Sequence, residues 1–289
     1  MSSDRFFQLS EPYSTVSDEG DFWDLVSQAH EVVDVLYEPE GLTARTNRRA
    51  VNKVVFRNVS FSKTKLSKLV FNECEFRGCR FIGTHFDRCK FSHCYFESCN
   101  LYAATFENCY VDPATFLDAI PWDGYENIRI SLFHELARNS AESNQAEFRA
   151  EAEFRFRQAQ RLQLRHERRK RKLRLIPFCS RWSLALLLEL SMGYGWRTWR
   201  TVGSIVTGLA FMVVTNWVFW RQIGVVSAVN GLAADCSLAS AIYFSATFGS
   251  GGLVPSGDAG FLLLGLEAIL GVVLFAMLAS LLFKAMVRS

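Results

Sequence analysis

Residues 74–99 read CEFRGCRFIGTHFDRCKFSHCYFESC, with Phe at every fifth position from Phe76 to Phe96. The pattern extends in both directions. Phe56, Phe61, Leu66, Phe71, Phe76, Phe81, Phe86, Phe91, Phe96, Leu101, Phe106, Val111 and Phe116 form thirteen apolar positions in one register. A helix repeats every 3.6 residues and a strand every 2, so neither produces this spacing. A period of five requires a chain that turns a corner every five residues. Two places before each centre the residue is usually small: Val54, Val59, Thr64, Leu69, Cys74, Cys79, Thr84, Cys89, Cys94, Cys99, Ala104, Cys109 and Ala114. Six of the eight cysteines fall in this slot.

Over about residues 52–118 the chain resembles the pentapeptide-repeat family. The resemblance implies a right-handed quadrilateral β-helix with four pentapeptides per coil, in which the centre and the small residue both point inward. Residues twenty apart are then expected to stack one strand spacing apart, roughly 4.7–4.9 Å. The expected columns are Phe56/Phe76/Phe96/Phe116, Cys74/Cys94, Cys79/Cys99 and Cys89/Cys109. The stack needs capped ends. Residues 21–37 (DFWDLVSQAHEVVDVLY), read as a helix, and the stretch holding Pro113 and Pro121 are the candidates. No C-x-x-C pair occurs, so the cysteines are read as small interior fillers rather than zinc or redox ligands. His85 and His93 fall on outward slots.

Composition excludes a disordered or collagen-like chain, with 49% hydrophobic and 21% charged residues. The first residues, MSSDRFFQLSEP, lack a basic segment followed by an apolar one, so the N-terminal part is expected to stay in the cytoplasm. After Pro121, two helices are expected, over 125–138 and 142–175. Ile128, Leu132, Phe133, His134 and Leu136 are placed near one stripe of the first. In the second, Glu147, Glu151 and Arg155 stand at helix-pairing distances. The net charge of +3 hides a local cluster, RHERRKRKLR at 165–174, with seven basic residues and one Glu. An apolar stretch, WSLALLLELSM at 182–192, follows closely and is too short to span a bilayer. It is read as an interfacial helix, with Arg168, Arg169, Lys170, Arg171, Lys172 and Arg174 among anionic headgroups of the inner leaflet.

Residues 201–220 carry no charge, and residues 261–283 carry only Glu267. Each is long enough for a transmembrane helix of about 20 residues. Trp196 and Trp199 flank the first span, and Trp217 and Trp220 mark its other end, as interfacial belts do. Arg197 and Arg200 precede that span, and Lys284 and Arg288 follow the second, whereas 221–260 holds only Arg221. Both termini are therefore expected on the cytoplasmic side. Between the spans lie SLASAIYFSATF (237–248), too short to cross, and the glycine-rich GSGGLVPSGDAG (249–260). Irregular backbone at membrane depth needs surrounding protein or a watery cavity.

From about residue 190 to 285 the sequence resembles bacterial two-transmembrane potassium channels. GYGWRTWRTVGSIV (193–206) is similar to the approach to the first span. AIYFS (241–245) resembles the pore helix, and LEAILGVVLFAMLASLLF (266–283) the inner helix. TFGSG (247–251) stands where the family has its filter. The resemblance implies that Thr247, Phe248, Gly249, Ser250 and Gly251 supply carbonyls to a permeant ion, Thr247 also a hydroxyl. It makes Gly271 the gating hinge. Ser250 departs from the family tyrosine, Gly252 from aspartate and Phe248 from valine, and about four residues are missing before the filter. These departures bear on selectivity rather than on fold. Glu267 is read as packing behind the filter, and Asn216 as a hydrogen-bonding residue between helices.

The fold expected is thus multidomain: a quadrilateral β-helix, an α-helical connector and a two-helix transmembrane pore-loop domain. The boundaries are an N-terminal cap region over 1–50, repeats over 51–120, the connector over 121–180 and the membrane domain over 181–289, its pore loop at about 237–255. The expected function is a tetrameric cation channel, with potassium the expected ion, in a bacterial inner membrane. The cytoplasmic repeats would serve assembly or regulation. The alternative is a non-conducting, membrane-anchored scaffold whose repeats bind a protein partner. Anionic lipid is an expected partner and nucleic acid is not. No cofactor or metal is expected beyond the permeant ion. No G-x-x-x-x-G-K, H-E-x-x-H or G-x-S-x-G motif points to an enzyme.

Overall fold

The computed structural model describes residues 4–44, 50–121, 124–170, 175–192, 198–227, 232–247 and 252–288. It divides into two compact units, Met1–Ala185 and Leu186–Ser289.

The first unit opens with α1 (Asp4–Phe7), β1 (Ser14–Val16), α2 (Glu19–Gln28), β2 (Glu31–Tyr37) and β3 (Gly41–Thr43). Nine short strands follow: β4 (Ala50–Asn52), β5 (Val55–Ser60), β6 (Lys65–Ser67), β7 (Val70–Asn72), β8 (Glu75–Arg77), β9 (His85–Asp87), β10 (Lys90–Ser92), β11 (Tyr95–Glu97) and β12 (Thr105–Glu107). They build parallel sheets in the orders β1-β2-β5-β8-β11, β10-β7-β4 and β12-β9-β6-β3. Isolated parallel bridges Ser60↔Arg80 and Arg80↔Asn100 make a fourth face. From β4 onward partners lie twenty residues apart, Phe56 opposite Phe76 and Phe76 opposite Phe96. The result is a β-helix-like stack with four faces per twenty residues.

Its interior follows the sequence register. The rings of Phe56 and Phe76 stack at 5.0 Å, and those of Phe76 and Phe96 at 4.5 Å. Phe96 and Phe116 meet at 4.5 Å. Cysteine fills the adjoining slot for a reason beyond size. Each thiol donates to the carbonyl 23 residues earlier: Cys74 to Val51, Cys79 to Phe56, Cys89 to Leu66, Cys94 to Phe71, Cys99 to Phe76 and Cys109 to Phe86, at 3.2–3.4 Å. Thr84 does the same toward Phe61 at 2.6 Å. Burial and then the neighbouring Cys79 push the Cys99 thiol up. The neighbouring Cys109 thiol, then burial, pushes up Cys89. His85 is half-buried beside Thr105 and Glu107, and His93 is exposed.

The corners are left-handed. Every fifth residue from Lys53 to Asn108 has φ between 52° and 66°, and only Gly78 and Gly83 among these twelve are glycine. For other residues this conformation costs about 1–2 kcal/mol. The corner amides offset it by donating to the next coil: Lys63 to Ile82, Lys68 to Asp87, Glu73 to Ser92 and Arg88 to Glu107, each at 2.8 Å.

The helix expected over 21–37 is corrected. It ends at Gln28, and EVVDVLY is strand β2. Val32, Val35 and Tyr37 point inward there, β-branched residues suit a strand, and parallel pairing on β5 satisfies the backbone. The stack therefore starts a full coil before the phenylalanine register. β2 and β3 pair 24 residues ahead, Val32 opposite Phe56 and Leu42 opposite Leu66, whereas Val51 in β4 pairs with Phe71 at twenty. Four extra residues thus fall between Thr43 and Ala50. Phe22 of α2 lies over Phe56 and caps the column.

The far end is capped by the connector. A 3-10 turn, Pro113–Phe116, leads to α3 (Glu126–Glu142), α4 (Ala146–Arg169) and α5 (Leu175–Met192). Asn139 of α3 is fully buried. Its amide accepts from Cys109 N at 2.8 Å and donates to Cys109 O at 2.9 Å, which satisfies the last coil where no further coil exists. α3 buries Ile128, Leu132, Phe133 and Leu136. His134 is corrected: it is exposed, because 100° per residue carries it off the stripe. Glu151 and Arg155 pair at 2.7 Å as their spacing implies.

The second unit holds α6 (Thr198–Ile223), β13 (Val225–Ser227), α7 (Leu238–Thr247), β14 (Leu253–Pro255) and α8 (Asp258–Arg288). β13 and β14 pair antiparallel. Trp199–Ile223 and Gly260–Phe283 are long and apolar enough to cross a membrane, and α7 is a shorter apolar helix between them. The segment 182–192 is the C-terminal part of the longer α5, with Leu184, Leu187 and Leu190 exposed.

Two outcomes are expected. Phe76→Ala lowers the unfolding free energy of the stack by about 3–5 kcal/mol in denaturant titrations of the detergent-solubilised chain, whereas Tyr95→Ala, on an exposed ring, changes it by under about 1 kcal/mol. In native protein a thiol reagent labels exposed Cys179 and Cys236 and spares the six buried cysteines, all eight reacting in denaturant.

Candidate functional site

Three helices of the second unit meet at a buried polar centre. Asn216 of α6 is fully buried. Its amide donates to Ser245 Oγ of α7 at 2.8 Å and to Glu267 Oε2 of α8 at 3.0 Å. Ser245 and Glu267 are themselves buried. Asn216 Oδ1 and Glu267 Oε1 are buried with no hydrogen-bond partner among the described residues. Amide, hydroxyl and carboxyl have few partners in apolar surroundings, so one Asn donating twice fixes the rotation of all three helices. Around this centre α7 buries Ala241 and Phe244, the i and i+3 positions beside Ser245.

The ends of the unit are tied as closely. Trp220 stacks edge-on to Phe244 at 6.0 Å and donates from Nε1 to Ala234 O at 2.9 Å. These contacts bury Trp220, whereas Trp217 and Trp199 are exposed. At Gly208 an added Cβ would stand 2.9 Å from Leu274 Cδ2, so its lack of a side chain lets α6 and α8 approach closely. At Gly260 a Cβ would meet Pro255 Cβ at 2.6 Å and Ile223 O at 2.8 Å, which explains glycine where α8 begins beside the end of α6.

Thr247 closes α7, its hydroxyl donating to Tyr243 O at 2.8 Å. Phe248, Gly249, Ser250 and Gly251 lie outside the described residues, and Gly252 follows with φ 88°. Gly271 lies within α8. Arg168 and Arg169 end α4, where positive charge suits the helix terminus, and Lys170 follows exposed. Arg171, Lys172 and Arg174 lie outside the described residues. Among the described residues no cluster of three or more His, Cys, Asp or Glu is gathered as a metal ion needs.

Sequence reasoning named Asn216 and Glu267 singly but missed that they meet, and missed Ser245. The signal available was a polar residue on each apolar helix, Asn216, Ser245 and the lone charge Glu267. Gly208 and Gly260 carried no signal of their packing role.

Comparison with known families matches residues 52–95 to pentapeptide repeats, in nine copies, and residues 79–112 to a second pentapeptide-repeat pattern, in eight copies. The chain thus carries a pentapeptide-repeat domain, and its parallel sheets have the twenty-residue register of that repeat. No curated protein matches the chain.

A double-mutant cycle tests the polar centre. Asn216→Ala and Glu267→Ala are expected to couple by about 0.6 kcal/mol, and at most about 1.7 kcal/mol, in detergent unfolding, the range that double-mutant cycles give for interhelical hydrogen bonds in membranes. Additive effects would contradict the bond.

Proposed function

We propose that Leu186–Ser289 is a pore-loop unit, and that four copies of the chain surround one cation pathway in a bacterial inner membrane, with potassium the expected ion. The seating of α7 carries this reading. It is a ten-residue helix, too short to cross, held between two span-length helices by Asn216, Ser245 and Glu267. Its C-terminal Thr247 stands immediately before Phe248, Gly249, Ser250 and Gly251. A helix C-terminus carries negative partial charge, which favours a nearby cation. Glycines let successive carbonyls aim one way, and rings of carbonyls replace the hydration shell of an ion. The Thr247 hydroxyl gives its proton to Tyr243 O.

A single two-span unit cannot enclose a pathway. The apolar faces left open on α6 and α8, including Phe211, Val218, Leu262 and Phe275, suit lipid on one side and neighbouring copies on the other. Gly271 serves as the hinge of the inner helix α8. The basic residues from Arg168 to Arg174 sit against anionic headgroups with both termini cytoplasmic. The repeat domain acts in assembly or regulation, and no enzymatic step is assigned.

Ion flux from proteoliposomes holding the full-length protein tests this. Potassium flux above sodium flux is expected, and Gly249→Ala with Gly251→Ala abolishes it while assembly persists. Flux that survives the double change contradicts the filter assignment. Absence of flux in the unmodified protein favours the non-conducting scaffold.

A further inference from the structure

On the fourth face of the repeat stack, Ser60, Arg80 and Asn100 form a polar column that is buried, with Asn100 at 0% and Arg80 at 4% exposure. Residues 6–10 cover it. Asn100 Nδ2 donates to Phe6 O at 2.9 Å. The Arg80 guanidinium donates to Gln8 O. Asn58 Nδ2 donates to Ser10 O at 3.2 Å, and Asn58 Oδ1 accepts from Ser10 N at 3.3 Å. Carbonyls at alternate residues 6, 8 and 10 are therefore read in turn by side chains from three successive coils. The readers are themselves fixed: Arg80 Nη1 donates to Asn58 Oδ1 at 2.8 Å and to Gly78 O at 3.1 Å, and Asn58 also donates to Asp34.

The side chains of the arm take little part. Phe7 is 45% exposed and Gln8 is exposed. Phe6 is the exception, 3% exposed with its ring 4.2 Å from that of Tyr125. Phe6 lies in the short helix α1 and residues 8–10 continue beyond it, so a buried aromatic anchor and main-chain bonds hold the arm on the surface without sequence-specific polar contacts. The groove does not end with the arm. Beside Ser10 it continues as an open cleft lined by Asp34, Arg57, Arg77 and Glu97. Desolvation holds the Arg80 guanidinium below its ordinary pKa, as expected where neutral carbonyls have replaced water.

We propose that this face is a peptide-binding groove, which reads alternate main-chain carbonyls and one buried aromatic side chain, and that the chain's own residues 5–11 occupy it as a displaceable intramolecular ligand. The binding chemistry is that of a short peptide with an aromatic residue two places before the carbonyl that meets Arg80.

The test uses a fluorescent peptide, RFFQLSE (residues 5–11), and the full chain lacking residues 2–12, with anisotropy as the readout. Saturable binding is expected. The unmodified chain binds at least about tenfold more weakly, because its own arm competes at high effective concentration. The peptide carrying Gln8→Ala keeps its affinity, and the one carrying Phe6→Ala loses at least about tenfold, as for an anchor residue. No saturable binding to a shortened chain that retains its β-sheet circular dichroism overturns the proposal, as does equal binding of the two altered peptides. If the shortened chain does not fold, hydrogen exchange on the full chain decides. Phe6→Ala then speeds exchange of residues 6–10 while β5, β8 and β11 stay protected, and unchanged exchange in the arm overturns the proposal.

Discussion

In the repeat stack each residue sits over the one twenty places before it, and the architecture of the first unit follows from that requirement. Parallel pairing between identical slots places ring on ring and thiol on thiol, so one choice of side chain serves every coil. The same register demands a corner every five residues. Those corners are left-handed at Lys, Asn, Glu, Arg and His as well as at glycine. At Lys53, Lys63, Lys68, Glu73, Gly78, Gly83, Arg88 and Ser98 the corner amide meets a carbonyl further along the stack, which offsets the strain. The stack is thereby cooperative, with the strain of one coil offset by the next.

A stack has ends, and both are closed by chemistry different from the repeat. At the start, Phe22 continues the phenylalanine column with a residue from a helix. At the finish, Asn139 mimics the missing peptide group, accepting and donating at Cys109. The second unit solves a related problem in apolar surroundings. Apolar packing alone does not fix rotation among lipid-like helices, so one buried Asn donating to Ser245 and Glu267 specifies the arrangement. Glycines at 208 and 260 allow close approach of α8 to α6.

Much of this was legible in the sequence, and the rest was hidden for physical reasons. The inward slots were readable because size and apolarity are chosen there, so Phe56 to Phe116 and the cysteines declared the period. The two span-length helices were readable from uninterrupted apolarity. Strand β2 was not, because Phe22 and Trp23 lead a true helix into EVVDVLY without a break such as Gly or Pro. The corners were invisible because the neighbouring coil, rather than residue type, selects their conformation. Asn139 lies 30 residues from Cys109, and Ser245 and Glu267 lie 29 and 51 from Asn216. Such pairs exist only once the chain has folded. His134 was misplaced because it stands one residue beyond Phe133 of the buried stripe, and a turn of 100° per residue carries it to the exposed side.

The central proposal is that four copies of the chain assemble around one pathway. Native mass spectrometry of the full-length chain, released from detergent, tests it most directly. The account predicts a dominant species of four times the 32.8 kDa chain mass. A population of single chains or pairs, stable across detergents that retain bound lipid, would contradict it.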